Sequence, residues 1–134
     1  MLKEMDAVKI PVEINGENRY LLYNLNARLY LEYMTDYEKL TEKNPDEWTF
    51  DEVLHYLRAM MIDSYYEDNK KFIEERDFSK CRPTLTELGR WLDMEGMSAI
   101  IDSILKALLL ASPERYDETN SNFQQAVETQ RTSG

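Results

Sequence analysis

The residues best equipped for chemistry in this chain are few: one histidine, His55, one cysteine, Cys81, and scattered carboxylates. A zinc site at His55 would need further Cys or His ligands at close spacing, and the sequence offers none. A nucleophilic triad would need His55 to meet a serine or cysteine and an orienting acid, a geometry that spacing alone does not set. His55, between Leu54 and Tyr56 in a helical stretch, therefore reads as a helix-surface or half-buried histidine. Cys81 stands between Lys80 and Arg82, whose charges would lower a thiol pKa, but with no second cysteine and no redox motif it reads as a bystander. Asp36/Glu38 and Glu74/Glu75/Asp77 could hold a metal or work as acid and base, yet such runs usually form a solvated face. The four glycines build neither a phosphate loop nor a dinucleotide fingerprint. The sequence reads as non-enzymatic, with no catalytic residue, cofactor or metal expected.

Composition narrows the partners. The chain has 134 residues, 43% of them hydrophobic, with 16 basic against 26 acidic side chains and a net charge of −10. That is enough for one domain with a real core. The negative balance argues against nucleic acid, which needs a concentrated positive surface, and against anionic membranes. No apolar run of spanning length occurs, and the charged start Met1-Leu2-Lys3-Glu4-Met5-Asp6 lacks the apolar core of a signal peptide. With one cysteine and no disulfide partner, a cytoplasmic location is expected.

The elements that would position any site begin with a hairpin. Val8, Ile10, Val12 and Ile14 alternate as on one face of a strand, and Asn15-Gly16 supplies a type I′ turn into Arg19–Tyr23. A first helix should start at Asn24 or Asn26 and fade by about Leu40, before the Asn44-Pro45-Asp46 turn. A second opens with the capping box Thr49/Glu52, with Trp48 stapled on Val53, and runs to about Tyr65. Glu67–Arg82 reads as a frayed extension or surface loop. The capping box Thr84/Glu87 opens a third helix carrying Leu85, Leu88, Trp91 and Leu92, with Gly96 as its C-terminal cap. Ser98 then caps a fourth, which ends at Ser112-Pro113. The expected fold is α+β: a two-stranded hairpin packed on about four helices over 1–112, with a flexible polar tail over 113–134.

Apolar excess suggests a binding surface. Ile100, Ile101, Ile104, Leu105, Leu108, Leu109 and Leu110 cover more of the fourth helix than the roughly 100° arc one buried face needs. That helix is either the centre of the fold or partly a docking face, and Leu109 and Leu110 are the best candidates for surplus. Tyr30, Tyr33 and Tyr37 fall at i, i+3 and i+7, and tyrosine is enriched at interfaces, although these rings could equally cover the hairpin. Met60, Met61, Met94 and Met97 add flexible side chains of the kind used for adaptable contact. The expected partner surface comprises Tyr30, Tyr33, Tyr37, Met60, Met61, Leu109 and Leu110. Replacing Leu109 and Leu110 by Asp should abolish binding and leave the fold intact.

The run V-K-I-P-V-E-I-N-G-E-N-R-Y-L-L-Y, then N-L-N-A-R-L-Y-L-E-Y-M, then T-L-T-E-L-G-R-W-L and a strongly apolar helix ending at A-S-P-E, resembles the tail assembly chaperones of long-tailed phages and prophages. The resemblance covers about residues 8 to 113 and rests on element order and residue character. It implies a non-enzymatic holdase in the bacterial host cell that keeps the tape measure protein soluble until tail tube subunits, a second candidate partner, polymerise around it. It further implies that this chain corresponds to the short form of a frameshifted pair. The negative charge suits such a role, because it keeps a loaded complex dispersed. Two readings compete: an acidic DNA mimic or inhibitor, and a small structural virion or adaptor subunit. A homo-oligomer would also bury the surplus apolar area.

Overall fold

The structure, a computed structural model, describes residues 8–111, so the expected tail over 113–134 lies outside the described residues. The hairpin forms, with Ile10, Val12 and Ile14 in its first strand, while Val8 lies before that strand and is exposed. Strands β1 (Ile10–Ile14) and β2 (Glu17–Leu21) pair antiparallel, from Ile10 opposite Leu21 to Ile14 opposite Glu17. Asn15 and Gly16 take φ of 54° and 74°, the left-handed pair of a type I′ turn. Ile10, Ile14 and Leu21 are buried on the inner face. Counting outward from Ile14–Glu17, the ladder alternates so that Pro11 stands where an amide would point away from β2. The outer edge of β2 is occupied instead. Tyr20 N donates to Ser64 Oγ (3.4 Å), Leu22 N to Met60 O (2.9 Å), and the Tyr20 hydroxyl to the Asp63 carboxylate (2.6 Å).

The first expected helix is two. Asn24 caps α1 (Leu25–Met34), accepting from Ala27 N at 3.1 Å. At Thr35 the chain turns extended, and the Asp36 side chain caps a restart as α2 (Tyr37–Glu42). Asn44-Pro45-Asp46 makes a single tight helical turn, Pro45–Glu47.

Helix α3 (Phe50–Met61) opens on the expected capping box. Glu52 N donates to Thr49 Oγ1 at 3.1 Å and Thr49 N donates to Glu52 Oε1 at 2.8 Å. Trp48 stacks on Tyr56, ring centroids 4.7 Å apart. Beyond Met61 the chain tightens into a 3₁₀ turn, Asp63–Tyr65. Helix α3 buries Val53, Tyr56, Leu57, Arg58, Ala59, Met60 and Met61, with each large apolar side chain worth about 2 kcal/mol of transfer.

Where a frayed extension or surface loop is expected over Glu67–Arg82, the chain forms a separate helix, α4 (Tyr66–Glu74), which buries Asn69 and Ile73. A turn at Phe78–Lys80 with Phe78 buried follows, then a cis Arg82–Pro83 peptide. The Thr84/Glu87 box starts α5 (Leu85–Trp91), which stops at an extended Leu92. Gly96 is not its cap. Asp93 Oδ1 accepts from Gly96 N at 2.7 Å and opens α6 (Met94–Ala111) four residues before Ser98, which therefore lies inside the helix.

The core sits around α3, which packs against α1, β2, α5 and α6, while α6 also lies across the hairpin. The central helix is thus α3 rather than the more apolar α6. Among the described residues six helices accompany the hairpin instead of about four, and no helix is long and apolar enough to cross a membrane.

Candidate binding groove

The seven residues expected to carry a partner do not share a surface. Tyr30, Met60 and Met61 are fully buried, which corrects their assignment. Tyr30 faces α3 from α1, and the two methionines lie in the last turn of α3, where Met60 O also receives Leu22 N. Tyr33 is 57% exposed, with its ring 5.2 Å from that of Phe78. The break at Thr35 takes Tyr37 off the face of Tyr30 and Tyr33, and its ring lies under the Arg28 guanidinium at 4.5 Å. On α6, Leu110 is 41% exposed and Leu109 half-buried.

The two chemically equipped residues both lie at least partly inside the fold. Burial pushes the Cys81 thiol up to about 11, against the opposing pull of Arg58, which favours the protonated thiol near neutrality. His55 is half-buried, its Nδ1 2.8 Å from the Tyr30 hydroxyl. Burial lowers its pKa, which Asp51 raises and Arg58 lowers further. Among the described residues no three His, Cys, Asp or Glu side chains gather as a metal site needs.

What the fold does assemble is an apolar groove of about 410 Å³ at the meeting of α3, α5 and α6. Phe50 and Leu54 form one wall, a turn apart on α3; Leu88, Gly89 and Leu92 form the second, and Met94 and Met97 close the end. Local sequence explains the placement. The Thr49 box makes Phe50 the first residue of its helix, outside the core, so its ring stays 56% exposed. Asp93 starts α6 with Met94 in its first position, 68% exposed, while Met97 a turn later is buried. Met94 and Met97 were legible as adaptable side chains, but helical spacing does not single out Phe50 and Leu54, because periodicity does not reveal which end of a stripe runs past its partner.

Gly89 sharpens the picture. A glycine inside a helix costs about 0.5–1 kcal/mol relative to alanine, and a Cβ there would meet nothing within 4 Å. The fold's own packing does not require a glycine at this position, and its absent side chain keeps the groove open. The acids around the surface are interleaved with cations: Lys43 with Glu52, Lys70 with Glu67, Lys80 with Asp77, and Arg82 with Asp68 and Glu87.

Compared with known proteins, the chain matches no family model, no curated protein and no solved structure.

Proposed function

We propose that this protein is a binding protein of the holdase type, which seats an apolar helical segment of a partner in the groove between Phe50, Leu88 and Met94. In its specific form, it acts as a phage tail assembly chaperone and its partner is the tape measure protein. The observation that carries the binding reading is the groove itself, with two large apolar side chains left in water and an interior glycine the fold does not need. A helix laid in such a groove anchors through side chains at i, i+3 and i+4. The tail-assembly part rests on the likeness of element order along residues 8 to 113. Interleaved cations favour this reading over mimicry of nucleic acid, which calls for unpaired carboxylates.

The test is co-expression with the long helical tape measure candidate from the same gene neighbourhood, followed by size-exclusion chromatography with light scattering at high salt. A soluble co-eluting complex is expected, because apolar burial survives salt that screens charge. Gly89→Leu fills the groove and improves helix propensity, so it should keep or raise stability while the complex is lost. Phe50→Asp should also abolish binding at little cost to the fold. A complex that both variants still form would remove the groove from the argument, and no complex with the wild type would remove the chaperone.

A further inference from the structure

Away from the groove, a row of polar groups crosses the interior between α1 and α3. Arg58 is 3% exposed, and its hydrogen-bond partners among the described residues are all neutral oxygens. Its Nε donates to Pro83 O at 2.8 Å, its Nη2 to Cys81 O at 3.0 Å and Ser79 O at 3.3 Å, and its Nη1 to the Tyr30 hydroxyl at 2.8 Å. A guanidinium only donates, so the Tyr30 oxygen accepts from Arg58. The hydroxyl's own proton then goes to its other partner, His55 Nδ1, at 2.8 Å. The arrangement that satisfies every one of these polar atoms leaves Nδ1 bare, with the imidazole neutral and its proton on Nε2, 3.8 Å from Asp51 Oδ2.

His55 also faces an open cleft of about 340 Å³, through which a proton can reach it. Asp51 and Glu52 of α3, Asp36 and Lys39 of the α2 region and Lys43 beyond it line that cleft, while Tyr30 of α1 and Arg58 stand on the interior side. Lys43 is held by Glu52 at 3.0 Å and Lys39 by Asp36 at 3.9 Å. A proton on Nδ1 would turn it from acceptor to donor and leave the buried Tyr30 hydroxyl proton without its acceptor. It would also set a second cation beside a buried guanidinium whose hydrogen-bond partners among the described residues include no carboxylate.

We propose that this row is a proton-operated latch: neutral His55 fastens Tyr30 and Arg58 onto the 79–83 segment, and protonating His55 unfastens it. The segment runs straight into α5 at Leu85, so release loosens the wall that carries Leu88 and Leu92. Burial already holds the imidazole below its usual range, which keeps the latch shut at neutral pH.

The chain's single histidine and single cysteine make the test specific. Imidazole nitrogen NMR of the full chain reads the tautomer and titration of His55. Labelling with 4,4′-dithiodipyridine, a disulfide still reactive in acid, reads exposure of the buried Cys81. The expected result is the Nε2–H tautomer at neutral pH. Cys81 labelling, normalised to the unfolded chain, should rise about tenfold or more as His55 takes up its proton. His55→Asn keeps an acceptor near Tyr30 without titrating, and should flatten that rise. Should this variant fail to fold, coincidence of the two wild-type midpoints decides alone. An Nδ1–H tautomer, midpoints that do not coincide, or an equal acid rise in a folded His55→Asn would overturn the latch.

Discussion

Asn69 and Arg82 clasp one another reciprocally: Arg82 N donates to Asn69 Oδ1 at 2.7 Å, and Asn69 Nδ2 donates back to Arg82 O at 2.8 Å. The same amide nitrogen also reaches Ile62 O at 3.2 Å. One fully buried side chain thus satisfies three backbone groups and ties α4 to the end of α3 and to the approach to α5. Asn69→Ala would leave those groups buried and unpaired, at roughly 1–3 kcal/mol for each group that water cannot reach. The expected loss is about 3 kcal/mol in urea unfolding, with Asn69→Asp no better because it keeps the acceptor but buries a charge.

Arg76 should yield a gain. Helix α4 ends in a Schellman motif, with Asp77 N donating to Phe72 O at 2.8 Å and Arg76 N to Ile73 O at 3.1 Å, and Arg76 holds the left-handed position at φ 58°. An L side chain there costs about 1 kcal/mol that glycine avoids. Arg76→Gly is expected to raise stability by up to about 1 kcal/mol, less the hydrogen bond from the Arg76 guanidinium to Ile73 O. A loss of stability would show that this hydrogen bond outweighs the backbone term.

The capping boxes should set the acid limit of the fold. Glu52 is held below the usual carboxylate range first by its hydrogen bond from the Thr49 amide, and Glu87 first by Arg82. Both pKa values fall on folding, so the stabilisation is complete above the ordinary carboxylate pKa and is lost as pH drops through the folded values. Thermal melts should therefore weaken below the normal glutamate range, and the pair Glu52→Gln with Glu87→Gln should flatten that slope. Removing either N-cap hydroxyl, Thr49→Ala or Thr84→Ala, should cost about 1 kcal/mol at neutral pH.

Leu109 and Leu110 separate two roles that the sequence could not. Leu110→Asp changes an exposed side chain and should shift stability by no more than about 0.5 kcal/mol, whereas Leu109→Asp puts charge at a half-buried site and should cost more than about 1 kcal/mol. Equal melting temperatures for the two variants would restore both leucines as free surface.

These contrasts mark what the residues reveal by themselves. The Asn15-Gly16 turn and the Thr49/Glu52 and Thr84/Glu87 boxes were legible because each is a local hydrogen-bonding or φ requirement met within four residues. Helix α4 was not, since its buried side includes Asn69, a polar residue whose partners lie in other segments, and its end carries Arg76 where glycine is the usual signal. The split at Thr35 escaped notice because the cap that restarts the helix, Asp36, looked like one more surface acid. Gly96 misled in the opposite sense, since a glycine inside the first turn of α6 resembles a stop. The groove was the least legible feature of all. Whether Phe50 and Met94 are covered depends on how far α5 and α6 extend past α3, which is a matter of tertiary packing and not of periodicity.

Pro11 carries a last consequence. With β2's outer side tied to the Asp63–Tyr65 turn, the free sheet margin among the described residues is that of β1, and it lacks a donor at its second residue. Strand addition along that margin loses one backbone hydrogen bond at Pro11, which weakens this edge as a template for edge-to-edge pairing.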